Sequence, residues 1–278
     1  MAVTFATMMV CLRLGRSNAD LLAVTGALAE RFQASVVGVA TRQPMQFMFT
    51  GGLVPEELIE QEEEEFRDEV ETLEAEFRAA LDGRASDLQW RAKMELGPLS
   101  DYIANEARSA DLVVTDFDRG GAFSHPSTHI DVGDLLMRVG RPVLVAPPSA
   151  KHFNLERAVV GWKETPEARR AVFDALPFLK AAASVAVVAI VGQAELEAAR
   201  FRLEDVAAWL GRHGVAAEPL VTASRGDDAS RLTAVAREQG ADLIVAGAFG
   251  HSRLREWVFG GVTRDLLLRS DRFTLLSH

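Results

Sequence analysis

The chain has 278 residues, 48% of them apolar and 25% charged, with a formal net charge of −10. That length suits two compact domains, each able to bury a core, and the acidic balance disfavours nucleic acid, whose binding neutralises phosphates with clustered Lys and Arg. No apolar run approaches the roughly 18 residues of a membrane span, and a single cysteine, Cys11, excludes an intramolecular disulfide framework and suits a reducing compartment.

Met1 to Leu12 is apolar but has no basic leader and is only a strand long, so it reads as a first strand and not as a signal peptide. A cytoplasmic location is expected. Strands are predicted near Thr7 to Leu12, Ser35 to Ala40, Gln89 to Glu95, Asp111 to Asp116 and Pro142 to Ala146. Five more follow at Ala158 to Trp162, Ser184 to Ile190, Ala216 to Thr222, Asp242 to Ala246 and Phe273 to Leu276. Helical patterns fill the gaps, which is the signature of βαβ units. The fold class is therefore α/β, with two tandem five-stranded, mostly parallel, doubly wound domains at 1–148 and 149–278, divided near Pro147-Pro148-Ser-Ala-Lys151.

Between the second and third strands, Val54 to Leu81 carries Phe66, Val70, Leu73, Phe77 and Leu81 at steps of 4, 3, 4 and 4. This is one apolar stripe on a helix over 55–82, and Glu60, Glu62 to Glu65, Glu69, Glu71 and Glu74 fall on its other faces. A helix covering the sheet with a solvated acidic face is the simpler reading, and a partner-binding helix is the other. Ahead of it, Pro44-Met-Gln-Phe-Met-Phe-Thr-Gly-Gly52 gathers soft apolar side chains and glycines, as a lid, an adaptable contact surface or a buried loop would. His125 and His129 stand four apart, but Pro126 between them makes a loop, so no metal site is expected. In the second half, Thr165-Pro166-Glu167 predicts a helix start with a hydroxyl cap and Pro at the first position, leading into one face of Ala171, Val172, Ala175 and Leu179.

The chain repeats itself. At an offset of 131, Ala241-Asp-Leu-Ile-Val245 falls on Ala110-Asp-Leu-Val-Val114, Asp265-Leu-Leu-Leu-Arg269 on Asp134-Leu-Leu-Met-Arg138, and Arg272 on Arg141. Between these anchors the second copy has Gly247-Ala-Phe-Gly250 and, after nine residues, Gly260-Gly261-Val262-Thr263, directly behind a buried strand. A spaced-glycine loop between strand and helix brings backbone N–H groups against a phosphate. The first copy has Asp116, Arg119, His129, Ile130 and Val132 in place of Gly247, Gly250, Gly260, Gly261 and Thr263. Asp116 and Asp118 would repel a phosphate there, so that half is expected to be nucleotide-free. Ligands of open doubly wound sheets sit where the strand order reverses. A 3-2-1-4-5 order puts Gly161-Trp162-Lys163-Glu164-Thr165 across the crevice from the glycine loop.

The glycine spacing, its preceding strand and the opening Val159-Val-Gly-Trp-Lys-Glu-Thr-Pro-Glu-Ala-Arg-Arg-Ala171 resemble a universal stress protein domain, and through the repeat the whole chain resembles a tandem member of that family. The resemblance implies adenine nucleotide alpha hydrolase-like domains and, from the family's ATP-binding branch, a phosphate seat of Gly247, Gly250, Gly260, Gly261, Val262 and Thr263 with Ile190 near the base. The family's first-strand Asp falls on Lys163, which has three donors and no acceptor, and its Ser/Thr after the last glycine falls on Gly261, with Thr263 two residues on. Phosphate binding is thus better supported than adenine recognition. Trp162 reads as core or as a stacking platform over the crevice, and His251 and Arg253 as solvated loop residues or phosphate contacts.

The expected function is binding of a nucleotide, ATP or a relative, in the second domain, with Mg only where nucleotide is bound. No catalytic residue is assigned, because no general base or metal-holding carboxylate stands beside the loop; any hydrolysis should be slow. The alternative is a nucleotide-free protein-interaction module with a purely structural glycine loop, and a nucleotide-hydrolysing enzyme is a third reading. The resemblance also implies that the two final strands, Pro142-Val-Leu-Val-Ala146 and Phe273-Thr-Leu-Leu-Ser277, pair within the chain, which would cover apolar edges that otherwise invite aggregation. A further homodimer is left open.

Overall fold

The computed structural model describes residues 4–44, 56–116, 126–148, 150–248, 266 and 271–278. In the first half, strands β1 (Thr7–Leu12), β2 (Ser35–Arg42), β3 (Leu88–Met94), β4 (Leu112–Asp116) and β5 (Val143–Ala146) alternate with helices α1 (Ala19–Phe32), α2 (Glu56–Leu81), α3 (Leu99–Glu106) and α4 (Val132–Val139). The second half has β6 (Arg157–Trp162), α5 (Pro166–Asp174), α6 (Leu176–Ala181), β7 (Ser184–Val191), α7 (Leu196–Arg212), β8 (Ala217–Ala223), α8 (Asp228–Glu238), β9 (Leu243–Gly247) and β10 (Phe273–Ser277). The ten strands among the described residues join one sheet in the order β3-β2-β1-β4-β5-β10-β9-β6-β7-β8. Read from its own edge inward, each half has the order 3-2-1-4-5, and within each half every pair is parallel.

The halves meet through β5 and β10, which pair antiparallel with Leu275 opposite Leu144. The two apolar edges expected to cover each other do so.

Parallel strands buried on both faces read as unbroken apolar runs, and alternate residues here enter different cores. Met8, Val10 and Leu12 face α1, α2 and α5 to α7, whereas Met9 and Cys11 face α3, α4 and α8. Phe5, Phe32, Phe153, Phe178 and Phe273 close the first of these cores where the halves adjoin, with ring centroids 4.8 Å apart for Phe5 and Phe178 and 4.4 Å for Phe153 and Phe273. Such aromatic contacts contribute about 0.5–1.5 kcal/mol each beyond area burial.

The duplication is also written in hydrogen bonds. Asp111, just before β4, accepts the backbone N–H groups of Ala6 and Thr7 at 2.9 Å. Asp242, just before β9, accepts those of Glu156 and Arg157 at 3.0 and 2.9 Å. Each carboxylate clamps the entry of its half's central strand.

Two expectations need correction. The helix after Thr165 is two helices, because Pro177 has no N–H to donate back and α5 ends at Asp174. The acidic face of α2 is not wholly solvated either: Glu62 is buried at the start of the apolar stripe. Arg42 comes off β2 to meet this face, donating to the Glu62 carbonyl, pairing with Glu69 at 3.1 Å and lying 5.4 Å from the centre of the Phe66 ring.

Candidate functional site

The strand order reverses between β6 and β9, which pair directly with Gly161 opposite Ala246. Of the residues singled out from the sequence, this brings Gly161, Trp162, Lys163 and Gly247 to the shared carboxyl ends of the two strands. Ile190 stands near the end of the adjacent β7, one residue past Ala189, the register partner of Trp162. Gly250, Gly260, Gly261, Val262, Thr263, His251, Arg253 and His125 lie outside the described residues, as do Asp118 and all of the Met-rich stretch Pro44 to Gly52 except Pro44.

At Gly161 a Cβ would come within 2.8 Å of Leu232 Cδ2, the far end of a side chain that can shift. Gly247 is more constrained, since its Cβ would sit 2.6 Å from both the Ala168 nitrogen and the Glu167 carbonyl carbon. The glycine that opens the loop therefore lets the first turn of α5 close against β9. That turn is held by Thr165, whose hydroxyl accepts the Ala168 N–H at 3.3 Å, with Pro166 at the first helical position as expected.

Trp162 and Ile190 are half-buried and Lys163 is exposed. The Trp162 indole N–H donates to Glu164 at 2.9 Å, and Glu164 also pairs with Arg169 at 3.3 Å and Arg202 at 3.9 Å. Arg169 and Arg202 thus set two cations around one carboxylate, next in sequence to the exposed Lys163. An apolar ring and wall beside a cationic rim suits a phosphorylated ligand with an apolar portion.

Sequence reasoning missed the matching place in the first half. Arg13 directly follows β1 as Lys163 follows β6, but the two copies run out of step between their second and third strands, where the first half carries a 26-residue helix against 17 in the second. Arg13 is buried, donates to the Asp116 carbonyl at 3.0 Å and pairs with its carboxylate at 2.9 Å. Arg16 pairs with the other carboxylate oxygen at 2.5 Å. Asn18 pins the turn, accepting the Arg13 N–H and donating to the carbonyls of Arg13 and Arg16. Asp116 is therefore charge-compensated and is not the bare carboxylate that the sequence suggested.

His129 is exposed and follows a 3-10 turn at Pro126–Thr128. Among the described residues no group of three or more His, Cys, Asp or Glu is placed to hold a metal, and no helix is long and apolar enough to cross a membrane. Cys11 is fully buried, and that burial pushes its thiol pKa up to about 12.

No curated protein matches the sequence. The model of the universal stress protein family matches residues 154–275. Among solved structures, a universal stress protein from Archaeoglobus fulgidus DSM 4304 is 13% identical, with 99% of each chain covered and a TM-score of 0.76. A functionally unknown protein from Pseudomonas aeruginosa PAO1 is 12% identical over 98% of this chain and 92% of its own, with a TM-score of 0.66. A universal stress protein solved in complex with cAMP is 22% identical over 44% of this chain and 97% of its own, with a TM-score of 0.37. Residues 154–275 thus resemble the universal stress protein family, and along nearly its whole length the chain shares the fold of the archaeal universal stress protein.

Proposed function

We propose that the chain binds one nucleotide, ATP or a relative, at the carboxyl ends of β6 and β9, as a sensor or structural clamp with little or no turnover. The observation that carries this reading is the reversal of strand order between β6 and β9, with the spaced glycines Gly247, Gly250, Gly260 and Gly261 next in the sequence at and after the end of β9. Gly161, Trp162 and Ile190 would border the base and sugar, Lys163 would offset phosphate charge, and Gly247, Gly250, Gly260, Gly261, Val262 and Thr263 would form the phosphate seat. Mg would enter only with the nucleotide. In this reading residues 1–148 form a scaffold domain, residues 149–278 form the binding domain, and the protein works in the cytoplasm.

The test is to denature freshly purified protein and identify released small molecules by absorbance and mass spectrometry, alongside Gly250→Asp and Gly260→Asp. A nucleotide released from wild type and missing from both folded variants supports the reading. Its absence from wild type, together with no uptake on incubation with ATP, sinks it.

A second reading keeps the fold and drops the ligand: a protein-interaction module whose loop glycines serve packing alone. The specific observation in its favour is at Gly247, where the space a Cβ would take is filled by the backbone of α5. The released-ligand experiment separates the two.

A further inference from the structure

The first half carries a charged arrangement that the second half lacks. By register, β1 meets β4 with Met8 opposite Leu112, and β6 meets β9 with Ala158 opposite Leu243. Arg13 therefore stands where the second half has Lys163, and Asp116 where it has Gly247. Two guanidinium groups converge on the Asp116 carboxylate, one from the buried Arg13 and one from Arg16, at 2.9 and 2.5 Å. Planar guanidinium groups match carboxylate and phosphate alike and cannot give up their charge. The carboxylate sits as a bound anion would, between two guanidinium groups.

We propose that Asp116 is a built-in anion occupying a two-arginine anion site at the carboxyl ends of β1 and β4, and that removing its charge opens this site to a free phosphate or pyrophosphate. Arg13 is held in place independently of the carboxylate. Its backbone is bonded to Asn18, and its guanidinium also donates to the carbonyl of residue 116, a bond that survives any side-chain change there. The site is distinct from the one proposed on β6 and β9, so the number of anions bound per chain separates the two.

The experiment titrates inorganic pyrophosphate into the full-length protein by calorimetry. Asp116→Asn keeps the side chain's shape and removes its charge, and Asp116→Gly copies the residue at the second half's equivalent position. Both are checked for folding by circular dichroism, and Asp116→Asn decides the question where Asp116→Gly does not fold. The expected result is one more pyrophosphate per chain in the Asp116 variants than in wild type. Adding Arg16→Gln should weaken that extra site at least tenfold, and adding Arg13→Gln as well should remove it. Asp205→Asn, the same charge change on the exposed face of α7, should leave the count at the wild-type value. A folded Asp116→Asn protein with the wild-type count overturns the proposal, as does an extra site that persists without both arginines or that also appears in Asp205→Asn.

Discussion

Replacing Gly247 by Ala places a Cβ 2.6 Å from the Ala168 nitrogen and the Glu167 carbonyl carbon and 2.9 Å from Glu167 Cβ, where ordinary contact begins near 3.4 Å. Two of these three neighbours are backbone atoms in the first turn of α5, so no rotamer change relieves the clash and the turn itself has to retreat. Overpacking of this kind costs about 1–3 kcal/mol, and disturbing the Thr165 cap adds about 1 kcal/mol. The expected loss is about 2–4 kcal/mol, read as a lower urea midpoint by circular dichroism. Gly161→Ala meets only the flexible end of Leu232 and should cost less than about 1 kcal/mol. Gly211→Ala, in α7 with nothing within 4 Å of the new methyl, should stabilise by about 0.5–1 kcal/mol. A Gly247→Ala protein as stable as wild type, or less affected than Gly161→Ala, refutes the packing argument for this glycine.

Cys11 should resist alkylating reagents at pH 8 in the folded protein and react once unfolded, because burial holds its thiol pKa near 12. The unfolded thiol ionises first as pH rises, so stability should fall by about 1.4 kcal/mol per pH unit between roughly pH 9 and 12 relative to Cys11→Ser. Asp111→Ala and Asp242→Ala each strip the acceptor from two strand-entry N–H groups and should each cost about 2 kcal/mol in denaturant melts. Burial acts to raise the Asp134 pKa, but hydrogen bonds from Ser100 and Arg138 outweigh it and hold the carboxyl below its usual range. Its stabilisation is present above the unfolded carboxyl pKa and lost as pH falls through the lower folded value, so Asp134→Asn should flatten the acid limb of the stability profile.

The strands were legible in the sequence because parallel strands buried on both faces must be unbroken apolar runs. Ala158 to Trp162 and Ser184 to Ile190, for example, come within one residue of β6 and β7. The pairing of β5 with β10 was expected through the family resemblance, and the apolar character of both edges agrees with it. Features set by one side chain acting across the fold were not. Pro177 divides a helix whose apolar spacing runs on without interruption, and Glu62 is buried although its neighbours are solvated. The Arg13–Asp116 pair joins residues a hundred positions apart, and no local spacing carries that contact. Reading the two first strands from their own ends would have shown the signal: a cation follows each, at Arg13 and Lys163. Of the candidate site, Gly161, Trp162, Lys163 and Gly247 could be brought together from strand order alone.

The central claim, that the crevice between β6 and β9 takes a nucleotide, is tested most directly by isothermal calorimetry of ATP with Mg against full-length protein stripped of small molecules by refolding. The account predicts saturable binding at one site per chain, abolished by Gly260→Asp and unchanged by Asp205→Asn. Absence of binding heat for ATP and other adenine nucleotides across a range of temperatures, in protein shown to be folded, would contradict it.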